Sequence, residues 1–200
     1  MRIARKPGRP LSFDRNIALD QAMRLFWQSG YEGTSLGALT KAMGVTAPSI
    51  YAAFGDKKQL FLEAVSRYVS GPVTAQTLID DAPDAHAAAT ALLRTSAIGF
   101  TGASTPRGCL LATSTISCSP AAADVQRQLA VIRKKIEARI KEKIADDVRK
   151  GVLPSGVDAD ALAGFVMATI QGLSTLARDG ARREKILRVA EAAMAAWPHR

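Results

Sequence analysis

The chain has 200 residues, with 27 Lys and Arg against 18 Asp and Glu for a formal charge of +9, 48% hydrophobic residues and 22% charged ones. That balance suits a globular protein long enough to bury a sizeable core and argues against disorder. No apolar run approaches the roughly 20 residues of a bilayer span, and the basic opening from Met1 to Pro10 lacks the apolar stretch of a secretory signal, so a cytoplasmic protein with no membrane partner is expected.

Two cysteines, Cys109 and Cys118, are too few for a disulfide framework and lack the paired spacing of a zinc site, which leaves buried thiols as the plain reading. The only histidines are His86 and His199, and no metalloprotease motif, phosphate loop, dinucleotide fingerprint or nucleophile triad is recognisable. Neither an enzyme, a metal site nor a cofactor is expected. The excess positive charge suits a polyanion, but charge alone does not separate DNA from RNA or an acidic membrane; its location must decide.

In chain order, the opening arm carries Arg2, Arg5, Lys6 and Arg9 with no acid. Its Pro7-Gly8-Arg9-Pro10 core is like the hooks that place Arg in a narrow A·T minor groove, so Arg5 and Arg9 are candidates for minor-groove or phosphate contact; a free basic tail is the alternative. The first 70 residues hold ten Lys and Arg against five acids. A second basic stretch, Arg133 to Lys150, mixes Glu137, Glu142, Asp146 and Asp147 among its cations and reads as a solvated helix face.

The periodicity is helical throughout, which predicts an all-α protein of about nine helices. These run over Asp14 to Ser29, Ser35 to Met43, Ala47 to Phe54, Lys57 to Ser70, Asp84 to Phe100, Cys109 to Ser117, Ala121 to Lys150, Asp158 to Arg178 and Arg182 to Ala196, with breaks at glycines and prolines between them. A basic arm at 1–11, a first helical domain at 12–71 and a second helical domain at 72–200 follow, with the soft boundary at Gly71-Pro72.

The short helices carry the sharpest signal. Ala18, Ala22, Leu25 and Phe26 share one face of the first, and Leu36, Leu39 and Met43 one face of the second, which Thr34 can cap. Gly44 supplies a tight turn, Thr46 can cap the third helix, and Pro48 is tolerated in its first turn. Within that third helix Ile50 and Phe54 lie four apart and face inward, leaving Thr46, Ala47, Ser49, Ala52 and Ala53 to face outward. Residues 35–54 thus have the form of a helix-turn-helix whose last helix offers small side chains and hydroxyls to a major groove, with Tyr51 and Lys57 in reach of phosphate. Asp56 with Gln59 reads as a capping box, and Tyr51 could also be a packed aromatic.

The segment Phe13 to Tyr68, with Gly30-Tyr31-Glu32-Gly33-Thr34-Ser35, Gly44-Val45-Thr46-Ala47-Pro48-Ser49-Ile50-Tyr51 and Phe54-Gly55-Asp56-Lys57, resembles the DNA-binding domain of the TetR/AcrR family. Arg107-Gly108-Cys109-Leu110-Leu111 and Gln171-Gly172-Leu173-Ser174 with Ala177-Arg178-Asp179-Gly180-Ala181 resemble the effector-binding and dimerisation region of one branch of it. Thr40, where a small Ala often packs, and Gly37, where a longer polar residue often contacts DNA, depart from the pattern. The resemblance implies phosphate contacts from Thr34, Tyr51 and Lys57, and base-edge contacts from Thr46, Ala47 and Ser49. It further implies a homodimer through the two C-terminal helices, an inverted-repeat operator, and repression relieved by a small molecule. The effector pocket would lie among the middle helices, with Phe100, Cys109, Leu111, Thr113, Phe165 and Met167 as candidate walls; plain core packing is the alternative for each. A non-specific architectural DNA-binding protein is the rival reading.

Overall fold

The computed structural model describes residues 13–114 and 119–199. Helix α1 (Arg15–Gly33) starts where the Asp14 carboxylate accepts the Asn16 and Ile17 N–H groups, meeting donors that a helix N-terminus otherwise leaves unpaired. It buries Ala18, Leu19, Ala22, Phe26 and Trp27. The break expected at Gly30 is present: its backbone is non-helical, with φ +74°, and a further helical turn follows this bend to Gly33. Helices α2 (Leu36–Met43), α3 (Ala47–Phe54) and α4 (Lys57–Val69) follow. Phe26, Leu39, Ile50, Leu60 and Phe61 are fully buried between them, the two phenyl rings meeting edge to face at 5.0 Å. Each such side chain contributes about 1.5–3 kcal/mol of burial, and the bidentate Arg15–Glu63 pair at 2.5 and 2.7 Å joins α1 to α4.

The remaining helices are α5 (Ala75–Asp80), α6 (Ala85–Gly99), α7 (Leu110–Thr113), α8 (Ala123–Arg149), α9 (Ala159–Arg178) and α10 (Arg183–Ala195), with a 3-10 turn at Pro120–Ala122 before α8. The described residues therefore hold ten α-helices rather than about nine. The extra one, α5, has six residues and a capping box between Thr74 and Thr77; it is too short to show a helical period. Helix α6 packs on α5, α8, α9 and α10, and α9 on α8, so α6 lies at the centre of this part.

Two expectations change. The stretch Arg133 to Lys150 is not wholly a solvated face: Asp147 is buried, its carboxylate accepts the Ala85 N–H at 2.6 Å, and its carbonyl accepts Val152 and Leu153. Helix α9 is long and apolar enough by length and composition to cross a membrane, contrary to the expectation that nothing approaches that length. One side of it, Ala163, Val166, Met167, Leu173 and Ala177, is buried in the protein core, while Ala161, Phe165, Ala168 and Gly172 are exposed.

The first four helices are held to the rest by polar contacts clustered at the bend in α1. The Tyr31 N–H turns to the Ser114 carbonyl, and the Trp27 and Gln28 carbonyls accept from Arg178 of α9 at 3.2 and 3.0 Å. Trp27 Nε1 donates to the Gly108 carbonyl at 2.9 Å. Both stretches whose sequence resembles the regulatory region thus converge on one place: Arg107 Nε donates to the Ala177 carbonyl, and the Cys109 N–H to Ser174 Oγ at 2.8 Å.

Candidate nucleic-acid interface and effector cavity

Helix α3 is anchored by Ile50 and Phe54, which are 0% and 5% exposed and fix which side faces out. Its N-terminus is capped by Thr46, which accepts the Ser49 N–H, and the two hydroxyls lie 2.9 Å apart, each orienting the other. Gly44, with φ +67°, makes the left-handed turn that sets α3 across α2. Ala47 and Ser49 are half-buried, Thr46 and Ala52 exposed, and Tyr51 is 52% exposed, so Tyr51 is no packed core aromatic. Ala53 does not face outward as expected. It packs against the core, and its carbonyl accepts from the Arg15 guanidinium.

Thr46, Ala47 and Ser49 share an open groove with Phe13, Lys41 and Gly44. The surface that results is a helix N-terminus with small side chains, two hydroxyls and a nearby ammonium. Such a surface can enter a major groove, accept from or donate to base edges, and meet phosphate at its margin. Lys41 was not singled out from sequence; it stands in the last turn of α2, where a cation reads as an ordinary helix-end residue.

Thr34 requires a correction. Its side chain is fully buried and its hydroxyl donates to the Gly30 carbonyl at 2.7 Å, so it has no side-chain surface for a phosphate. The cap of α2 is the neighbouring Ser35, which accepts the Ala38 N–H. Lys57 is half-buried with its Nζ 4.6 Å above the Tyr31 ring; burial pushes its ammonium down from the usual range while Glu32 opposes the shift. Asp56 and Gln59 form the expected capping box. Thr40 is accommodated because its hydroxyl donates to the Gly37 carbonyl at 2.8 Å, and Gly37 is exposed. Arg5 and Arg9 lie outside the described residues.

A second candidate site is a cavity of about 820 Å³ among α4 to α9. Of the six expected wall residues, Phe100, Cys109, Leu111 and Met167 line it. Phe165 and Thr113 do not. Phe165 is 38% exposed on the outer side of α9, because two residues along a helix turn it about 200° away from Met167; the Thr113 hydroxyl is spent on the Cys109 carbonyl and approaches Arg178. Cys109 is buried, and the Tyr68 hydroxyl donates to its sulfur at 3.6 Å; burial pushes the thiol up. Cys118 lies outside the described residues. Trp27 and Tyr68, packed edge to face at 4.8 Å, also line the cavity, although they belong to α1 and α4. Sequence gave no hint of this, since each looks like a core aromatic of its own helix.

Comparison with known proteins agrees with this geometry. Residues 18–64 match the family model of bacterial regulatory proteins, tetR family, and residues 88–194 match the tetracyclin repressor-like C-terminal domain. The HTH-type transcriptional repressor ComR of Escherichia coli (strain K12) is 34% identical over 199 residues, covering 98% of this chain and 94% of that protein. The HTH-type transcriptional repressor BdcR of the same strain is 30% identical, covering 96% and 92%. A cysteine-substituted TetR family transcriptional regulator, CifR, solved in complex with 26-base-pair operator DNA, superposes with a TM-score of 0.89 at 38% identity, covering 96% of this chain and all of that one. The chain belongs to the tetR family of bacterial regulatory proteins and is a DNA-binding transcriptional regulator, not an enzyme.

Proposed function

We propose that the protein is a homodimeric, cytoplasmic repressor that reads an inverted-repeat operator with α3 and releases it when a small molecule occupies the cavity. Thr46, Ala47 and Ser49 meet base edges, Tyr51 and Lys57 meet phosphate, and Arg5 and Arg9 of the 1–11 arm follow the adjacent minor groove or backbone. The observation that carries this reading is α3 itself: two buried anchors hold its capped, small-residue N-terminus outward beside an exposed tyrosine. The likeness to CifR, solved on operator DNA, supports it.

The two matched segments support a division into a DNA-binding domain at 12–71 and an effector and dimer domain at 72–200. The exposed outer side of α9, with Phe165, and the adjoining α10 form the dimer contact, an isologous one. Because Trp27 and Tyr68 line the cavity from α1 and α4, a ligand that moves them moves the reading heads.

Binding of Ser49→Ala and Lys57→Ala to a panel of operator variants tests the assignment. Ser49→Ala is expected to change preference at one base position by about 1–3 kcal/mol, whereas Lys57→Ala weakens all variants alike. Equal losses across the panel for both substitutions would contradict it. A wild-type footprint without defined edges would favour the non-specific architectural binder instead.

A further inference from the structure

The cavity is asymmetric in a way that specifies its ligand. Its floor is apolar and buried: Ile79, Leu92, Phe100, Leu111 and Met167, with the Cys109 thiol among them. Its mouth carries exposed Val73, Gln76 and Thr95. One wall is α8, which contributes Arg133, Lys135 and Arg139, while among the described residues no Asp or Glu lines the cavity.

These three cations are not equivalent. Arg139 is engaged by the carboxylate of Asp80. Lys135 is exposed at the rim, where water solvates it. Arg133 is half-buried and has no carboxylate partner among the described residues; its Nη1 donates to the Leu111 carbonyl at 2.6 Å. That bond fixes the guanidinium against the cavity wall and leaves Nε and Nη2 without a protein acceptor among the described residues. Its charge is felt at the floor, where it opposes the upward push that burial gives the Cys109 thiol. A guanidinium held in partly desolvated surroundings gains most from an anion that can accept two N–H groups at once. A cationic ligand would meet the uncompensated charges of Arg133 and Lys135, the nearby carboxylate of Asp80 being already engaged by Arg139.

We infer that the cavity takes an amphipathic organic monoanion, with its apolar body on the buried floor and its acid group on Arg133. This rests on the reading of the cavity as the effector site. The cavity volume falls in the range of small-molecule sites, about 300–1,000 Å³, and a single unpaired cation beside the floor matches one acid group rather than two.

The test uses the full-length protein, calorimetric titration and three probes of one chain length below their micellar concentrations: decanoate, 1-decanol and decylamine. Decanoate is expected to bind about 10- to 100-fold more tightly than 1-decanol, the ratio one charge-assisted pair provides, with decylamine the weakest. Arg133→Gln erases that preference, bringing decanoate to the affinity that the same variant has for 1-decanol. Arg133→Lys, which keeps the charge but loses the paired N–H geometry, retains part of it, and Arg139→Gln, which removes a cation already paired with Asp80, retains all of it. Equal binding of decanoate and 1-decanol to the wild type, or a preference that survives Arg133→Gln, overturns the inference. If 1-decanol binds and releases operator as well as decanoate does, the effector site stands and the anion selectivity falls. If none of the three binds, both fall.

Discussion

Replacing Gly108 with Ala tests how tightly the loop before α7 is clamped between α1 and α9. Gly108 has φ +81°, and an added Cβ would lie 2.7 Å from Arg178 Cγ and 3.0 Å from both the carbonyl oxygen and the hydroxyl of Ser174. The arginine stem can shift only at the expense of its bonds to the Trp27 and Gln28 carbonyls, the α9 carbonyl cannot move, and the Ser174 hydroxyl is held by the Cys109 N–H. Nor can the loop retreat freely, because the Gly108 N–H donates to the Phe100 carbonyl at 3.0 Å and its own carbonyl accepts Trp27 Nε1. The left-handed backbone costs an L-residue about 1–2 kcal/mol, and overpacking adds about 1–3 kcal/mol, so Gly108→Ala is expected to destabilise by about 2–5 kcal/mol. Gly180 supplies the internal control: φ is +90° but nothing lies within 4 Å of its added Cβ, so Gly180→Ala should show the backbone cost alone, about 1–2 kcal/mol. Urea unfolding of both variants and wild type at one protomer concentration measures the difference. Indistinguishable stabilities for the two variants would show that the Gly108 loop is not clamped against α9.

Further outcomes follow from other parts of the molecule. Phe165→Glu places a charge on the exposed apolar side of α9 and is expected to weaken dimerisation by at least about 100-fold; sedimentation showing an intact dimer would place the interface elsewhere. Deleting residues 2–9 should lower the magnitude of the salt dependence of DNA binding by about 0.9 per lost phosphate contact, and an unchanged slope would free the arm from any DNA role. The Arg67 guanidinium beside Asp20 holds that carboxyl below its usual range, as Lys58 does for Asp124 and Arg139 for Asp80. Their unfolded values lie near 3.9, so this stabilisation is present above about pH 4 and is lost as pH falls through the lower folded values. Asp20→Asn should therefore lose less melting temperature than wild type on acidification below pH 4; parallel losses would show that the pair contributes nothing.

The first four helices were legible because their determinants are local. Thr46, Gly44 and the Asp56–Gln59 box act within four residues of themselves, and the Ile50–Phe54 spacing sets the phase of α3 by itself. Where local rules offered two answers, tertiary packing chose. Thr34 and Ser35 are both good caps, and only burial against α1 assigns the cap to Ser35. On α9 Phe165 and Met167 stand about 200° apart, so helical spacing alone says that they cannot share one wall, while packing decides which of the two faces the core. Arg133 and Arg178 look like solvated helix cations; their roles come from partners 22 and 151 residues away, at the Leu111 and Trp27 carbonyls.

Sequence-specific reading of DNA through α3 is measured by selection of bound duplexes from a random DNA pool by the full-length protein at physiological salt. A dimer reading DNA through α3 predicts enrichment of an inverted repeat, with half-site centres about one helical turn apart or somewhat more, and loss of its base preferences in Ser49→Ala at one symmetric pair of positions. An unenriched pool bound with uniform affinity, or a single half-site bound by a monomer, would contradict it.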